Sequence, residues 1–233
     1  MAKFLTLNTH SWMEEEQESK LNQLAERILQ EKYDVICLQE VNQLVESEQV
    51  VQAPFYYAVD GAIPIHQDHY ALRLVEKLAE AGLDYYWSWA YNHIGFDIYN
   101  EGVAILSRKP LTARELLVSD VNDPTDYHTR KVLLAETELE GQFITVASCH
   151  LSWWDKGFQG EWAKFESELL QVQTPLVLMG DFNNPVGYEG YQHILKSPLA
   201  LQDSHAVANT VVGKATVEGD IAGWAGNKDA LKI

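Results

Sequence analysis

Two rhythms of apolar residues alternate along this chain, short runs and longer stretches with apolar positions three and four apart. "KFLTLN" (3–8) has the length of a short strand and ends at Asn8. In residues 15–32, Leu21, Leu24, Ile28 and Leu29 fall at helical spacing, and "DVICLQE" (34–40) follows as a nearly unbroken apolar run, the pattern of a buried strand. The spacing predicts a helix over 69–82, stopped by Gly82. "GVAILS" (102–107), "KVLLAETEL" (131–139) and "QFITVASCH" (142–150) read as strands, the last two joined as a hairpin across Glu140 and Gly141. A further helix is predicted over 158–172, and "PLVLMG" (175–180) supplies a strand bounded by Pro175 and Gly180. Helices interleaved with many strands, some hairpin-paired, predict an α/β sandwich with mixed sheets. No linker, repeat or break in composition divides the chain, so one domain is the simpler expectation.

Composition narrows the function. The chain has 233 residues, 46% of them hydrophobic, which is enough for a substantial core. Seventeen Lys and Arg stand against 34 Asp and Glu, a net charge of −17. A body that acidic repels a polyanion unless basic residues cluster or metal ions intervene, and no basic cluster is present in the sequence. Cys37 and Cys149 both lie in apolar strand-like runs, as buried reduced thiols do. The N-terminal "MAKFLTLNTHSW" lacks the apolar stretch of a signal peptide, and no segment is long and apolar enough to span a bilayer, so a cytoplasmic protein is expected.

Polar residues collect where the predicted strands end. Asn8 closes the first strand, Glu40 the second, His150 the strand over 143–149, and Asp181 the strand over 176–180, with Asn183 just beyond. If these ends are neighbours, they offer hard oxygen ligands without thiolates, which suits Mg²⁺ or Mn²⁺ rather than structural zinc. Each residue also has a plainer reading. Asp181 after Gly180 fits a turn or helix cap, Glu40 a cap, His150 a core histidine, Asn8 a turn, and Arg130 a surface ion pair.

"LNTHSW" with Asn8, "DVICLQE" with Glu40, "EGVAILSR" (101–108), "SCHLSWW" with His150 and "MGDFNN" with Asp181 and Asn183 resemble, in order, the motifs of the endonuclease/exonuclease/phosphatase superfamily, and most of all its bacterial RgfB-like branch. The resemblance runs over nearly the whole chain. It implies a DNase I-like, four-layered α/β/β/α sandwich and divalent-cation-dependent hydrolysis of a phosphoester. Carried onto this sequence, it makes Glu40 the principal carboxylate ligand of Mg²⁺ or Mn²⁺, with Asn8 binding or orienting beside it. His150 would donate to a non-bridging phosphate oxygen, Asp181 would orient or deprotonate the attacking water, and Asn183 would hold both the phosphate and that aspartate. Arg130, in "YHTRKVLL", would add a phosphate contact.

The substrate is less determined. DNA-repair members carry a Tyr where this chain has Asn100, with Tyr99 displaced by one, so Asn100 marks the candidate substrate-binding position. That departure and the charge favour a small or headgroup-sized phosphoester over duplex nucleic acid. The aromatic stretch 85–102 fits either a substrate wall or a core, and "HQDH" (66–69) either polar contacts or a helix cap. A nuclease of the same fold and a non-catalytic regulatory protein are the competing readings. In the superfamily the chain continues from the position matching "NKDALKI" (227–233) into a strand opening with Asp and a last strand ending in Ser-Asp-His. This sequence stops at Ile233, and Asp203, Ser204 and His205 follow the GDFN strand too closely to replace that motif. The expectation is therefore a sandwich lacking its last strands, prone to associate through an open sheet edge and weakly active.

Overall fold

The computed structural model describes residues 1–218 and 230–232, so "NKDALKI" lies partly outside the described residues. The chain groups into two compact units, Met1–His150 with Val172–Asp181, and Leu151–Gln171 with Phe182–Ile233. The chain passes between units at 150/151, 171/172 and 181/182, each time without a linker, which is why composition marks no boundary where the sequence predicts one domain.

The first unit holds two four-stranded mixed sheets. One has β1 (Phe4–Asn8), β2 (Val35–Leu44), β4 (Tyr99–Ser107) and β3 (Tyr86–Gly95), in the order β1-β2-β4-β3. The other runs β5 (Leu111–Leu117), β6 (Lys131–Leu139), β7 (Gln142–His150) and β8 (Leu176–Asp181). In each sheet one end pair is parallel, β1 with β2 and β7 with β8, and the rest is antiparallel. Among the described residues β1 and β8 are the last strands on their sides, each with one sheet partner.

Two cores explain the alternation of apolar residues. Val35, Cys37, Val103 and Ile105 of the first sheet meet Leu133, Ala135, Val146 and Met179 of the second. On the opposite face of the first sheet, Ile36, Leu38, Leu106 and Trp87 pack with α1 (Gln17–Glu31) and α2 (Tyr70–Glu80) through Leu21, Ile28, Leu74 and Leu78. Buried on both faces, β2 and β4 read as continuous apolar runs rather than alternating ones. The aromatic stretch resolves in favour of the core, because Tyr85, Trp87 and Trp89 are fully buried. "HQDH" resolves as a cap: His69 is the N-cap of α2, its Nδ1 accepting from Leu72 N at 3.4 Å.

The second unit contributes α3 (Phe158–Leu169), α4 (Glu189–Leu195) and α5 (Ser204–Val207). Phe158, Trp162, Phe165 and Leu169, three and four apart, are the buried face of α3. Asp203 caps α5 by accepting from His205 N and Ala206 N, a structural use of the Asp-Ser-His triplet.

Differences from the sequence reading are local. β3 and β5 were not predicted, β2 extends to Leu44, and α3 stops at Leu169. The β3–β4 turn places Phe96 and Asp97 at φ 52° and 63°, a primed hairpin geometry made without glycine and so without a turn signal. By contrast β6 and β7 match their predicted ranges, and Glu140 and Gly141, at φ 50° and 84°, form the predicted two-residue connection.

Gly180 directly precedes Asp181 on β8. Its φ is +153°, and a Cβ there would lie 2.1 Å from the carbonyl oxygen of Cys149 on the paired strand. We predict that Gly180→Ala lowers stability by about 1–3 kcal/mol or more in urea unfolding, since strained backbone and steric overlap add. An unchanged midpoint would show that β8 tolerates a side chain at this position.

Candidate active site

The parallel pairing of β7 with β8 sets His150 beside Asp181, while the pairing of β1 with β2 sets Asn8 beside Gln39. Glu40 then departs from regular strand geometry. Its φ is +52°, and the register of β2 on β4 shifts between Leu38 and Val41, the signature of a bulge. The bulge is held from the other side, since Thr9 donates its N–H (3.0 Å) and its hydroxyl (2.8 Å) to the carbonyl of Gln39. A non-glycine residue held in the left-handed region carries strain that the surroundings must impose, and here the result is an aimed carboxylate.

Asn8 ties the site together. Its Nδ2 donates to Glu40 Oε1 at 2.7 Å and to Asp181 Oδ2 at 3.1 Å, and its Oδ1 accepts from His10 N at 3.1 Å. Two carboxylates from two sheets thus meet on one amide, whose oxygen accepts one hydrogen bond and has a second lone pair. His150 Nε2 lies 4.0 Å from Glu40 Oε1 and 3.9 Å from Asp181 Oδ2. Arg130 Nη1 is 3.4 Å from His150 Nδ1. Burial, reinforced by the Arg130 charge, pushes the imidazole down to about 3, so His150 is neutral at physiological pH.

Asn8, Glu40, His150, Asp181 and Arg130 therefore converge. Asn183 sits two residues beyond Asp181 in the second unit, at φ 51°, where its Nδ2 donates to the carbonyl of Leu151 at 2.8 Å. Its amide nitrogen is engaged by backbone there. Asn100 is not among the converging residues. It pairs with Gln43, whose side chain bonds Pro64 O and His66 N, and strand alternation puts both on the face opposite Glu101.

Glu101 is the residue that sequence reasoning passed over. It lies directly between Asn42 of β2 and His93 of β3, so the three form a polar row across the first sheet. Glu101, Asn42 and His93 are all buried, at 7%, 0% and 4% exposure, and Asn42 has neither amide atom hydrogen-bonded. His93 Nδ1 faces the Thr129 carbonyl at 3.2 Å and Nε2 faces Glu101 Oε1 at 3.5 Å. Burial, with the charge of Glu40, raises the Glu101 carboxyl to about 7 against a smaller opposing effect of Arg130. The signal was available: Glu101 opens the quoted "EGVAILSR", and a charged residue inside an apolar strand calls for a reason.

No three of His, Cys, Asp and Glu form a group able to hold a metal among the described residues. Glu40 with hard oxygens from water and substrate fits Mg²⁺, which keeps much of its hydration and takes one or two carboxylates. No helix among the described residues is long and apolar enough to cross a membrane.

Residues 12–229 match the model of the Endonuclease/Exonuclease/phosphatase family. The chain belongs to this family. A family protein from Leptotrichia buccalis C-1013-b superposes over 100% of this chain and 86% of its own, with a TM-score of 0.84 and 31% identity. A functionally unknown conserved protein from Enterococcus faecalis V583 is 20% identical, covering 88% of this chain and 75% of that one at a TM-score of 0.60. The human Nocturnin catalytic domain with bound sulfate is 18% identical, with 83% and 68% covered and a TM-score of 0.58; these last two show the fold. No curated protein sequence matches the chain. The fold is thus the DNase I-like α/β sandwich of this family, built on two mixed four-stranded sheets, and its members are hydrolases acting on phosphoesters.

Glu101 gives a pH prediction for this family member. The native state holds the Glu101 proton more tightly than the unfolded chain, so its contribution to stability is full below the ordinary value of 4.5 and is lost as pH rises to about 7. Glu101→Gln cannot ionise. In urea unfolding across pH 4.5–7.5, wild type should lose stability relative to E101Q as pH rises, and parallel profiles would contradict the assignment.

Proposed function

We propose that the protein is a divalent-metal-dependent phosphoester hydrolase that uses water as nucleophile and acts on a small or headgroup-sized phosphoester. The observation that carries this reading is the Asn8 amide bonded to both Glu40 and Asp181 with His150 within 4.0 Å of each carboxylate. Two carboxylates and a neutral imidazole at one point suit phosphoryl transfer, in which positioning and charge neutralisation are most of the task.

Glu40 would hold the cation, Mg²⁺ or Mn²⁺, with Asn8 fixing the carboxylate's orientation. Bound there, the ion neutralises charge on the phosphoester oxygens. Asp181, anchored by Asn8, orients the attacking water and takes its proton. His150 donates to a non-bridging oxygen, and the Arg130 guanidinium adds positive charge behind it. The net charge of −17 favours a compact substrate over duplex nucleic acid.

Calorimetric titration with Mg²⁺ should give binding in wild type and a lost or strongly weakened isotherm in Glu40→Gln; equal affinities would remove Glu40 from the metal site. Against a panel of sugar phosphates, phosphocholine lipids and single-stranded DNA, Asp181→Asn and His150→Ala should each lower turnover of the accepted substrate about 100-fold or more. Near-normal kinetics in either variant would end that residue's catalytic role.

A further inference from the structure

We propose that Arg130 is a positioning residue that fixes the tautomer of His150, keeping its proton on Nε2. The proposal rests on the hydrolase reading above, in which His150 is the donor to the phosphate, and says what makes it a donor.

A guanidinium has N–H donors and no acceptor. Because Arg130 Nη1 lies 3.4 Å from His150 Nδ1, that nitrogen must present its lone pair, and a neutral imidazole then carries its proton on Nε2. The far side of the ring favours the same form more weakly, because its acceptors stand beyond hydrogen-bond reach. Nε2 faces Glu40 Oε1 and Asp181 Oδ2, both acceptors, at 4.0 and 3.9 Å, where a second lone pair would meet two negative oxygens. With its proton on Nε2, the ring offers a donor on the side that faces Glu40 and Asp181 and cannot serve as a base there.

The backbone of Arg130 is fixed as this task requires. Its N–H donates to Ser119 Oγ at 2.8 Å, and its carbonyl accepts from Val118 N at 3.0 Å and Ser119 N at 3.3 Å. Its Nε is buried without a hydrogen-bond partner, so among the described residues the bond to His150 is the one its side chain makes. His93 shows the opposite case in the same sheet pair. Its Nδ1 faces the Thr129 carbonyl, which can only accept, so there the proton sits on Nδ1. The two buried histidines should therefore be opposite tautomers.

The test is two-bond ¹⁵N–¹H correlation spectroscopy of the full chain with ¹⁵N-labelled histidine, assigned with His150→Gln and His93→Gln. In wild type, His150 should show a pyrrole-type Nε2 and a pyridine-type Nδ1, with His93 reversed. In Arg130→Met, both His150 nitrogens should move toward the average of the two tautomers, while Arg130→Lys keeps the wild-type pattern. Arg130→Leu, which likewise carries no donor, gives the same loss of preference should the Met variant fold poorly. A wild-type His150 protonated on Nδ1, or unchanged His150 shifts in the folded Met or Leu variant, would overturn the proposal. Kinetics separate positioning from direct phosphate contact. Loss of an orienting partner should lower kcat about 10- to 100-fold with little change in KM; a raised KM at unchanged kcat would also overturn it. If the tautomer pattern holds but no phosphoester is hydrolysed, the positioning stands and the hydrolase reading falls.

Discussion

One amide serving two carboxylates is the constraint on which the site depends. Asn8 stands at the end of β1 in one sheet, yet it holds Glu40 from the neighbouring strand and Asp181 from the other sheet. Like charges brought together repel, and without a shared donor the two side chains would turn apart into water. The rest of the first unit can be read as support. Thr9 holds the bulge that aims Glu40, Gly180 lets β8 run close against β7 so that Asp181 emerges beside His150, and His10 N–H fixes the amide's orientation.

Beneath that point the first sheet carries a row that stability alone does not explain. Asn42, Glu101 and His93 are buried, the Asn42 amide is unpaired, and burial with the nearby Glu40 raises the Glu101 carboxyl to about 7. Buried polar groups left unsatisfied cost about 1–3 kcal/mol each. Such a cost is tolerated where a site needs it, and the row adjoins Glu40 through the electrostatic coupling of Glu40 with Glu101.

Much of this was legible in the sequence. β6 and β7 were placed residue for residue because apolar residues dominate both strands and Glu140-Gly141 supplies the turn. Asn8, Glu40, His150 and Asp181 stood out because each is a polar residue at the point where an apolar run ends. β3 was not legible, because Tyr86, Trp87, Trp89 and Tyr91 give an aromatic density that reads equally as ligand wall or core. β5, "LTARELL", mixes charges into a half-exposed strand and lost its period. Asn100 and Glu101 are adjacent strand residues that face opposite ways, and sequence order alone does not say which face each one takes. The division into two units rests on long-range contacts that leave no mark on composition.

The central claim is that Glu40, presented beside Asp181 by Asn8, forms the cation end of a phosphoester-hydrolysing site. Anomalous diffraction from crystals soaked in Mn²⁺ tests it most directly. The account predicts a single strong peak at the Glu40 carboxylate, on the side facing Asp181 and His150, that disappears in crystals of Glu40→Gln. A peak elsewhere, or one that persists in that variant, would contradict it.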